Sequence, residues 1–316
     1  EVKASFPVEL AEYTKEQSID HEPAFAWWIN VVLRKKDSVI SRIKSRYWKT
    51  THKFGIQLPK SVEEAFQLDK QNGDKLWQNS IEKEMGKARI AFQRKEGYTP
   101  DDIRQRKALI GYKEIKGHWI FDIKMDGKFT RKSRFVAGGH LTDPPSTSTY
   151  STVVTRESVR IALLIAGLNE LEVKSADIGN AYLNAPSREK VWIVAGPEFG
   201  SDQGSVMVVV RAWYGLKSSG ASWHAMLSQS MDDMKYKRCK ADYDVWYRPA
   251  EKENGFKYYE YVLIFVDDIL IVSHQPMETM KVISDIYELK DGAIFTPDRY
   301  LGGNVGTYDL PDGSKY

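Results

Sequence analysis

Two adjacent aspartates, Asp267 and Asp268, stand in the middle of the stretch YVLIFVDDILIVS, residues 261–273 of a 316-residue chain. The runs on either side, 261–265 and 269–272, are rich in β-branched and aromatic residues, which favour strands. The pair therefore falls at the turn of a predicted apolar hairpin. A carboxylate carried into such packing costs free energy unless a positive charge meets it. A divalent cation is one answer, because hard cations take oxygen ligands. An ordinary solvent-facing turn, where Asp is favoured for its own reasons, is the other. The stretch alone is compatible with both, and a metal site needs another carboxylate to complete it.

Asp177 is the best placed. It ends a predicted strand over 172–177, among the apolar residues Val173, Ala176 and Ile178. Acids from separate strands on one sheet face suit two magnesium ions that clamp an in-line phosphoryl displacement. Mg²⁺ keeps waters and shares ligands with substrate phosphates, so few protein carboxylates suffice. Asp74, Asp101, Asp102, Asp202 and the Asp232–Asp233 pair lie in polar surroundings and read as surface charge or caps. Asp177 and Asp267 are about ninety positions apart, so spacing by itself does not bring them together.

The elements that must position these acids follow from periodicity. Residues 22–49 carry Phe25, Trp28, Val31, Val32, Val39, Ile43 and Tyr47 at helical intervals among many bases, which predicts one or two basic amphipathic helices. Their field suits phosphate backbones, and equally a solvated face; Trp27 and Trp28 suit stacking on bases or plain packing. Ser61 and Glu64 have capping-box spacing for a helix from 62, and a second helix runs through Leu76, Trp77, Ile81 and Met85. GHWIFDIKMDGKFTRKSRFVAGG alternates on both sides of Asp126–Gly127, a strong hairpin signal. Its second arm carries Arg131, Lys132 and Arg134, suited to a triphosphate or to guarding a strand edge. A Pro/Ser/Thr connection leads to a helix over 157–168 with Val159, Leu163, Leu164 and Ile165 inside. Strands over 191–195 and 206–212, helices over 219–234 and 277–289, short strands near 294 and 301–305, and an Asp312–Gly313 turn complete the chain. Hairpins and helices without regular βαβ alternation predict an α+β fold.

Composition sets outer bounds. No apolar run approaches the ~20 residues of a membrane helix, and the lone Cys239 excludes an internal disulfide or a multi-cysteine zinc site. The chain opens on Glu1 rather than Met, without a visible secretory signal, which reads as part of a longer open reading frame.

SADIGNAYLNAP, YGLKSSGASW and YVLIFVDDILIVS, in that order, resemble the polymerase core of copia-type (Pseudoviridae-like) LTR-retrotransposon reverse transcriptases. HWIFDIKMDGKFTRKSRFVAGGH is similar to that family's fingers hairpin, STYSTVV to the stretch before its palm helix, and YLGGNV to its primer-contacting hairpin. The likeness covers roughly 61–305. It implies a right-hand polymerase fold: a basic helical linker following integrase (1–60), fingers (61–145), a palm of antiparallel sheet backed by helices with interleaved fingers elements (146–290), and the primer-contacting hairpin with the start of an incomplete thumb (291–316).

The activity implied is RNA- and DNA-templated DNA synthesis, in which a primer 3′-hydroxyl attacks the α-phosphate of a deoxynucleoside triphosphate. The resemblance makes Asp177 and Asp267 the principal ligands of two Mg²⁺ ions (with Mn²⁺ able to substitute), completed by Asp268 and the Ile178 carbonyl. Tyr182, five residues after Asp177, becomes the floor of the sugar pocket, where a ring would exclude a 2′-hydroxyl. Lys132 and Arg134 hold the triphosphate, with Arg131 a competitor, and Ser218 belongs to the nucleotide-pocket turn. Three places, five residues in all, depart from the family pattern. Ser218, Ser219 and Gly220 replace a frequent Gln followed by Ser-Pro, Phe265 replaces a Tyr, and Gly138 replaces a Lys or Arg. The first and last, together with the missing remainder of the thumb, motivate an alternative, a catalytically decayed retroelement segment that only binds nucleic acid. The implied partners are template with primer, deoxynucleotides, and the ribonuclease H, integrase and protease of a polyprotein. The implied setting is cytoplasmic, within virus-like particles and with nuclear access, and no membrane is involved.

Overall fold

The computed structural model describes residues 51–142 and 149–307. Three expectations lie outside the described residues: the basic helices with Trp27 and Trp28, part of the Pro/Ser/Thr connection, and the Asp312–Gly313 turn. The chain divides into a unit of residues 1–59 and a unit of residues 60–316. The described part of the first is a small hairpin of β1 (His52–Lys53) and β2 (Ile56–Gln57).

The second unit opens on α1 (Val62–Asn72). Ser61 accepts a hydrogen bond from the Glu64 N–H at 3.2 Å, as the spacing predicts. The Glu64 carboxylate reaches back to the N–H of Lys60, at 2.8 Å, one residue earlier than a closed capping box requires. In α2 (Leu76–Ala88) the series Trp77, Ile81, Met85 and Ala88 is buried, one face of a 3.6-residue period. Next come β3 (Phe92–Arg94), α3 (Pro100–Arg104), β4 (Lys113–Glu114), β5 (Gly117–Ile123) and β6 (Arg131–Ala137). After α4 (Arg156–Leu168) follow β7 (Glu172–Ile178), the single turn α5 (Ala181–Asn184), β8 (Val191–Val194), β9 (Val206–Val209) and α6 (Ser219–Asp233). Then β10 (Lys237–Arg238), β11 (Val245–Glu251), β12 (Lys257–Phe265), β13 (Asp268–Ser273), α7 (Pro276–Ile286), β14 (Leu289–Phe295) and the hairpin β15 (Arg299–Tyr300), β16 (Gly303–Asn304).

The largest sheet has six strands in the order β10-β11-β12-β13-β7-β14, every neighbour antiparallel. A second has the order β3-β9-β8-β4, where only the β4–β8 pairing is parallel. The mixture of helices and sheets has the α+β character expected. In the six-stranded sheet the alternation of side chains sends Val262, Ile264, Ile269, Ile271, Ala176 and Ile178 to one face. There Trp223, Leu227 and Met231 of α6 and Met280 and Ile283 of α7 cover them. Leu263, Leu270 and Val272 go to the other face, against Val159, Ala162 and Ala166 of α4. Burial on both faces explains why β12 and β13 read as continuous apolar runs. At about 1.5–3 kcal/mol for each large apolar side chain removed from water, these central strands are the hardest part of the unit to deform.

Four details differ from expectation. Leu164 is 41% exposed, because at 100° per residue it lies about 140° around α4 from Val159. Asp126–Gly127 does not make a two-residue turn. The strands part after Ile123, and Asp126 Oδ1 instead accepts the N–H groups of Lys128 and Thr130 inside a longer loop. β1, β2, β3, β10, β11, α3 and the single turn α5 had no counterpart. Pro249 in β11 speaks against a strand, yet it lies beyond the two-residue reach of β10, on a stretch paired on one side only. Finally, α7 ends at Ile286 rather than near 289, because Leu289 already pairs with Ile178 in the sheet.

Candidate active site

β7 and β13 pair in a register that sets Asp177 directly opposite Asp268. Opposed residues point to the same face of a sheet, so both carboxylates share the α4 side, in line with Leu270 and Val272. Asp267 occupies the turn with Val266, whose φ of +59° is left-handed and costly for a β-branched residue. Two hydrogen bonds hold that turn. The Asp267 carbonyl accepts the Ile178 N–H at 2.8 Å, and the Val266 carbonyl accepts the Trp223 indole N–H at 2.7 Å. Asp267 is thereby tied to the residue after Asp177, and Ile178 itself is buried beneath.

The three acids repel one another. Burial raises the Asp267 carboxyl, the charge of Asp177 raises it further, and Lys290 and Arg134 partly offset both. Burial, then Asp267 and Asp177, push Asp268 up to about 6. Lys290, on β14, forms an ion pair with Asp177 Oδ2 that raises the lysine. β14 lies on the far side of β7 from β13, with Leu289 opposite Ile178, which delivers Lys290 to the acids. Nothing in YELKDG distinguishes this lysine from a surface lysine, so no sequence signal marked it.

On β6, Lys132 and Arg134 alternate with the buried Ser133 and Phe135. The Arg134 guanidinium lies 4.7 Å from the centre of the Tyr214 ring, and Tyr214 lies 5.0 Å from the Tyr182 ring at 40°. Burial raises the phenols of both tyrosines, Asp267 raises them further and Arg134 lowers them, so basic strand, rings and acidic turn are close neighbours. Lys132 is held down by burial and by the charges of Arg134 and Lys124, with Lys290 contributing. Arg131 is engaged elsewhere, 5.5 Å from the Trp77 ring and donating to the Phe129 carbonyl at 2.7 Å. Tyr182 is in α5, whose Ala181 joins the core of the six-stranded sheet and whose Leu183 joins a second core with Phe135 and Trp213.

Ser218 is placed differently from expectation. It is 1% exposed, and its N–H and hydroxyl both donate to Glu189 Oε1, at 2.8 and 2.9 Å. From the same turn it is Gly220 that lines the small cavity under Tyr182, together with Ser151, Thr152, Trp223, His224 and Val266. The residue this turn brings to Arg134 and Tyr182 is Tyr214. The expected surface acids behave as such: Asp102 closes a capping box with Thr99, Asp101 pairs with Arg104, and Asp202 pairs with Arg94 at 2.9 Å.

Among the described residues no group of three or more His, Cys, Asp or Glu side chains is arranged to hold a metal ion by itself. The donor set fits a different kind of site. Three hard oxygen acids, two of them directly opposed, leave a repulsion that a cation relieves, as Lys290 does for Asp177. That suits Mg²⁺, which retains water and takes phosphate oxygens to fill its shell.

Residues 107–305 match the sequence profile of a family described as reverse transcriptase (RNA-dependent DNA polymerase). The chain is also similar to Gag-Pol polyproteins of Saccharomyces cerevisiae transposons. It is 27% identical over 196 residues to that of transposon Ty1-JR1, covering 61% of this chain and 10% of that relative. The same identity and coverage of this chain hold for the truncated transposon Ty1-A polyprotein, of which 16% is covered. With the Ty1-DR1 polyprotein it shares 26% identity over 212 residues, 66% of this chain and 11% of the relative. The chain thus spans only about a tenth to a sixth of the length of these relatives.

Proposed function

Because the chain belongs to the reverse transcriptase (RNA-dependent DNA polymerase) family, and to its copia type, we propose that it synthesises DNA on RNA and DNA templates from a primer 3′-hydroxyl. The observation that carries this reading is the opposition of Asp177 and Asp268, with Asp267 in a turn tied to Ile178. In the same reading residues 61–145 are the fingers, 146–290 the palm and 291–316 the primer-contacting hairpin and start of the thumb. Residues 1–60 join the polymerase to a preceding integrase.

Asp177 and Asp267 would hold two Mg²⁺ ions, with Asp268 and the Ile178 carbonyl completing the set. Bound there, the ions supply Lewis acidity to the attacking hydroxyl and the leaving pyrophosphate. The chain's own residues do the rest. Arg134 offers a planar fork to phosphate oxygens and Lys132 a compact charge. The Tyr182 ring is the floor under the sugar and leaves no room for a 2′-hydroxyl. Lys290 neutralises Asp177 in the absence of substrate. The partners are then primed template and deoxynucleoside triphosphates, with ribonuclease H, integrase and protease in the longer polyprotein. A cytoplasmic, particle-associated setting belongs to the same reading; no described helix is long and apolar enough to cross a membrane. The binding-only alternative is not favoured, because residues 107–305 match the reverse transcriptase family and the relatives are Gag-Pol polyproteins.

Primer extension with Mg²⁺ tests this. Asp267→Asn is expected to abolish incorporation, and a variant that extends primers as well as the parent would overturn the assignment of the acids. Tyr182→Val is expected to admit ribonucleotides, and unchanged discrimination would remove Tyr182 from the sugar pocket.

A further inference from the structure

We propose that Tyr214 is a positioning residue that presents Arg134 to the triphosphate, an inference that rests on the polymerase reading above. The guanidinium lies 4.7 Å over the Tyr214 ring, and that ring is braced by Tyr182 at 5.0 Å. Among the described residues Arg134 makes no ion pair. Glu84 of α2, whose carboxyl feels the Arg134 charge, has Oε1 occupied by the Phe135 N–H at 3.2 Å. A guanidinium held by its flat face keeps its in-plane N–H groups free, which is the arrangement needed to meet phosphate oxygens bidentately. A carboxylate partner in place of the ring would consume those same donors.

The contact is built into the backbone. Two residues that follow Arg134 on β6, Phe135 and Ala137, are stitched to Trp213 and Tyr214. The Trp213 indole N–H donates to the Phe135 carbonyl at 2.8 Å, and the Ala137 N–H donates to the Tyr214 carbonyl at 2.7 Å. The chains cross where only glycine fits. A Cβ on Gly139 would lie 2.1 Å from the Gly215 carbonyl oxygen, and one on Gly215, at φ +94°, would lie 2.4 Å from that of Ala137. Arginine and tyrosine therefore meet because two backbone segments are locked together, and surface encounter plays no part. Burial pushes the Tyr214 phenol up to about 12, so a neutral ring faces the guanidinium throughout the working range.

The test compares steady-state primer extension by the parent, Tyr214→Leu, Tyr214→Phe, Arg134→Ala, Arg134→Lys and the Tyr214→Leu/Arg134→Ala double variant. Tyr214→Leu is expected to raise KM for the deoxynucleotide about fivefold, with a much smaller change in kcat. Tyr214→Phe should recover most of that loss, because the ring and not the hydroxyl carries the contact. In the Arg134→Ala background Tyr214→Leu should add little. An equal increase in both backgrounds, or a phenylalanine that recovers nothing, overturns the proposal. Should Tyr214→Leu not fold, Arg134→Lys decides: a lysine keeps the charge and loses the flat face, so a KM equal to the parent's overturns it. A parent carried on a longer polyprotein segment with the whole thumb that incorporates no nucleotide under any divalent ion refutes the polymerase reading itself, and the proposal with it.

Discussion

Asp177 and Asp268 stand directly opposite each other across two antiparallel strands, both on one face of the sheet. Like charges in that relation destabilise a sheet, and a third acid in the adjoining turn adds to the repulsion. The fold carries this cost because Lys290 offsets part of it from the next strand, and a bound cation would offset the rest.

Stability of the metal-free protein should therefore depend on pH through Asp268. Its carboxyl is pushed up from 3.8 to about 6, so the folded chain binds this proton more tightly than the unfolded chain. The site's contribution is complete below about pH 4 and is lost as pH rises through about 6. Asp268→Asn is expected to stabilise the protein at pH 8 by about 1–2 kcal/mol, after allowance for partial exposure, and to change little near pH 4. Thermal melts in EDTA at the two pH values measure the difference. An equal effect at both would show that the acids do not strain one another.

Removing Lys290 should expose the same repulsion. Lys290→Met is expected to lower the melting temperature in EDTA at neutral pH, because Asp177 loses its partner. Added Mg²⁺ should then raise the melting temperature further in the variant than in the parent, since no ammonium competes for Asp177. A Mg²⁺-dependent rise no larger than the parent's would place the ion away from Asp177.

Gly139→Ala tests the crossing beneath the basic strand. Its new methyl would meet backbone at 2.1 Å, which no side-chain rotation can relieve. A loss of about 3 kcal/mol in urea unfolding is expected. A loss under 1 kcal/mol would mean that the two segments separate easily.

Ser218→Ala distinguishes a buried anchor from a nucleotide contact. The hydroxyl donates to Glu189, a residue that is 8% exposed, so its removal is expected to cost about 1–2 kcal/mol in stability. Deoxynucleotide KM should stay within about twofold of the parent, well short of the tenfold that 1.4 kcal/mol of lost binding would give. A larger rise would return Ser218 to the pocket.

Much of this was legible in the residues alone. The runs 261–265 and 269–272 form β12 and β13 with Asp267 at the turn, because strand patterning and turn chemistry depend on neighbours in sequence. The same holds for Ser61 capping α1, for the basic arm of the β5–β6 hairpin, and for the apolar face of α2. Asp177 at the end of a strand was equally local. Only the tertiary structure decided what these pieces meet. The order β13-β7-β14 places a strand from about ninety positions earlier between two later ones, and that insertion sets Asp177 opposite Asp268 and beside Lys290. Tyr214 reaches Arg134, and Ser218 turns inward to Glu189, through hydrogen bonds between segments some thirty to eighty positions apart. Periodicity and capping act over a few residues and so leave a mark in the sequence. Register between distant strands depends on the packing of the whole core and leaves none.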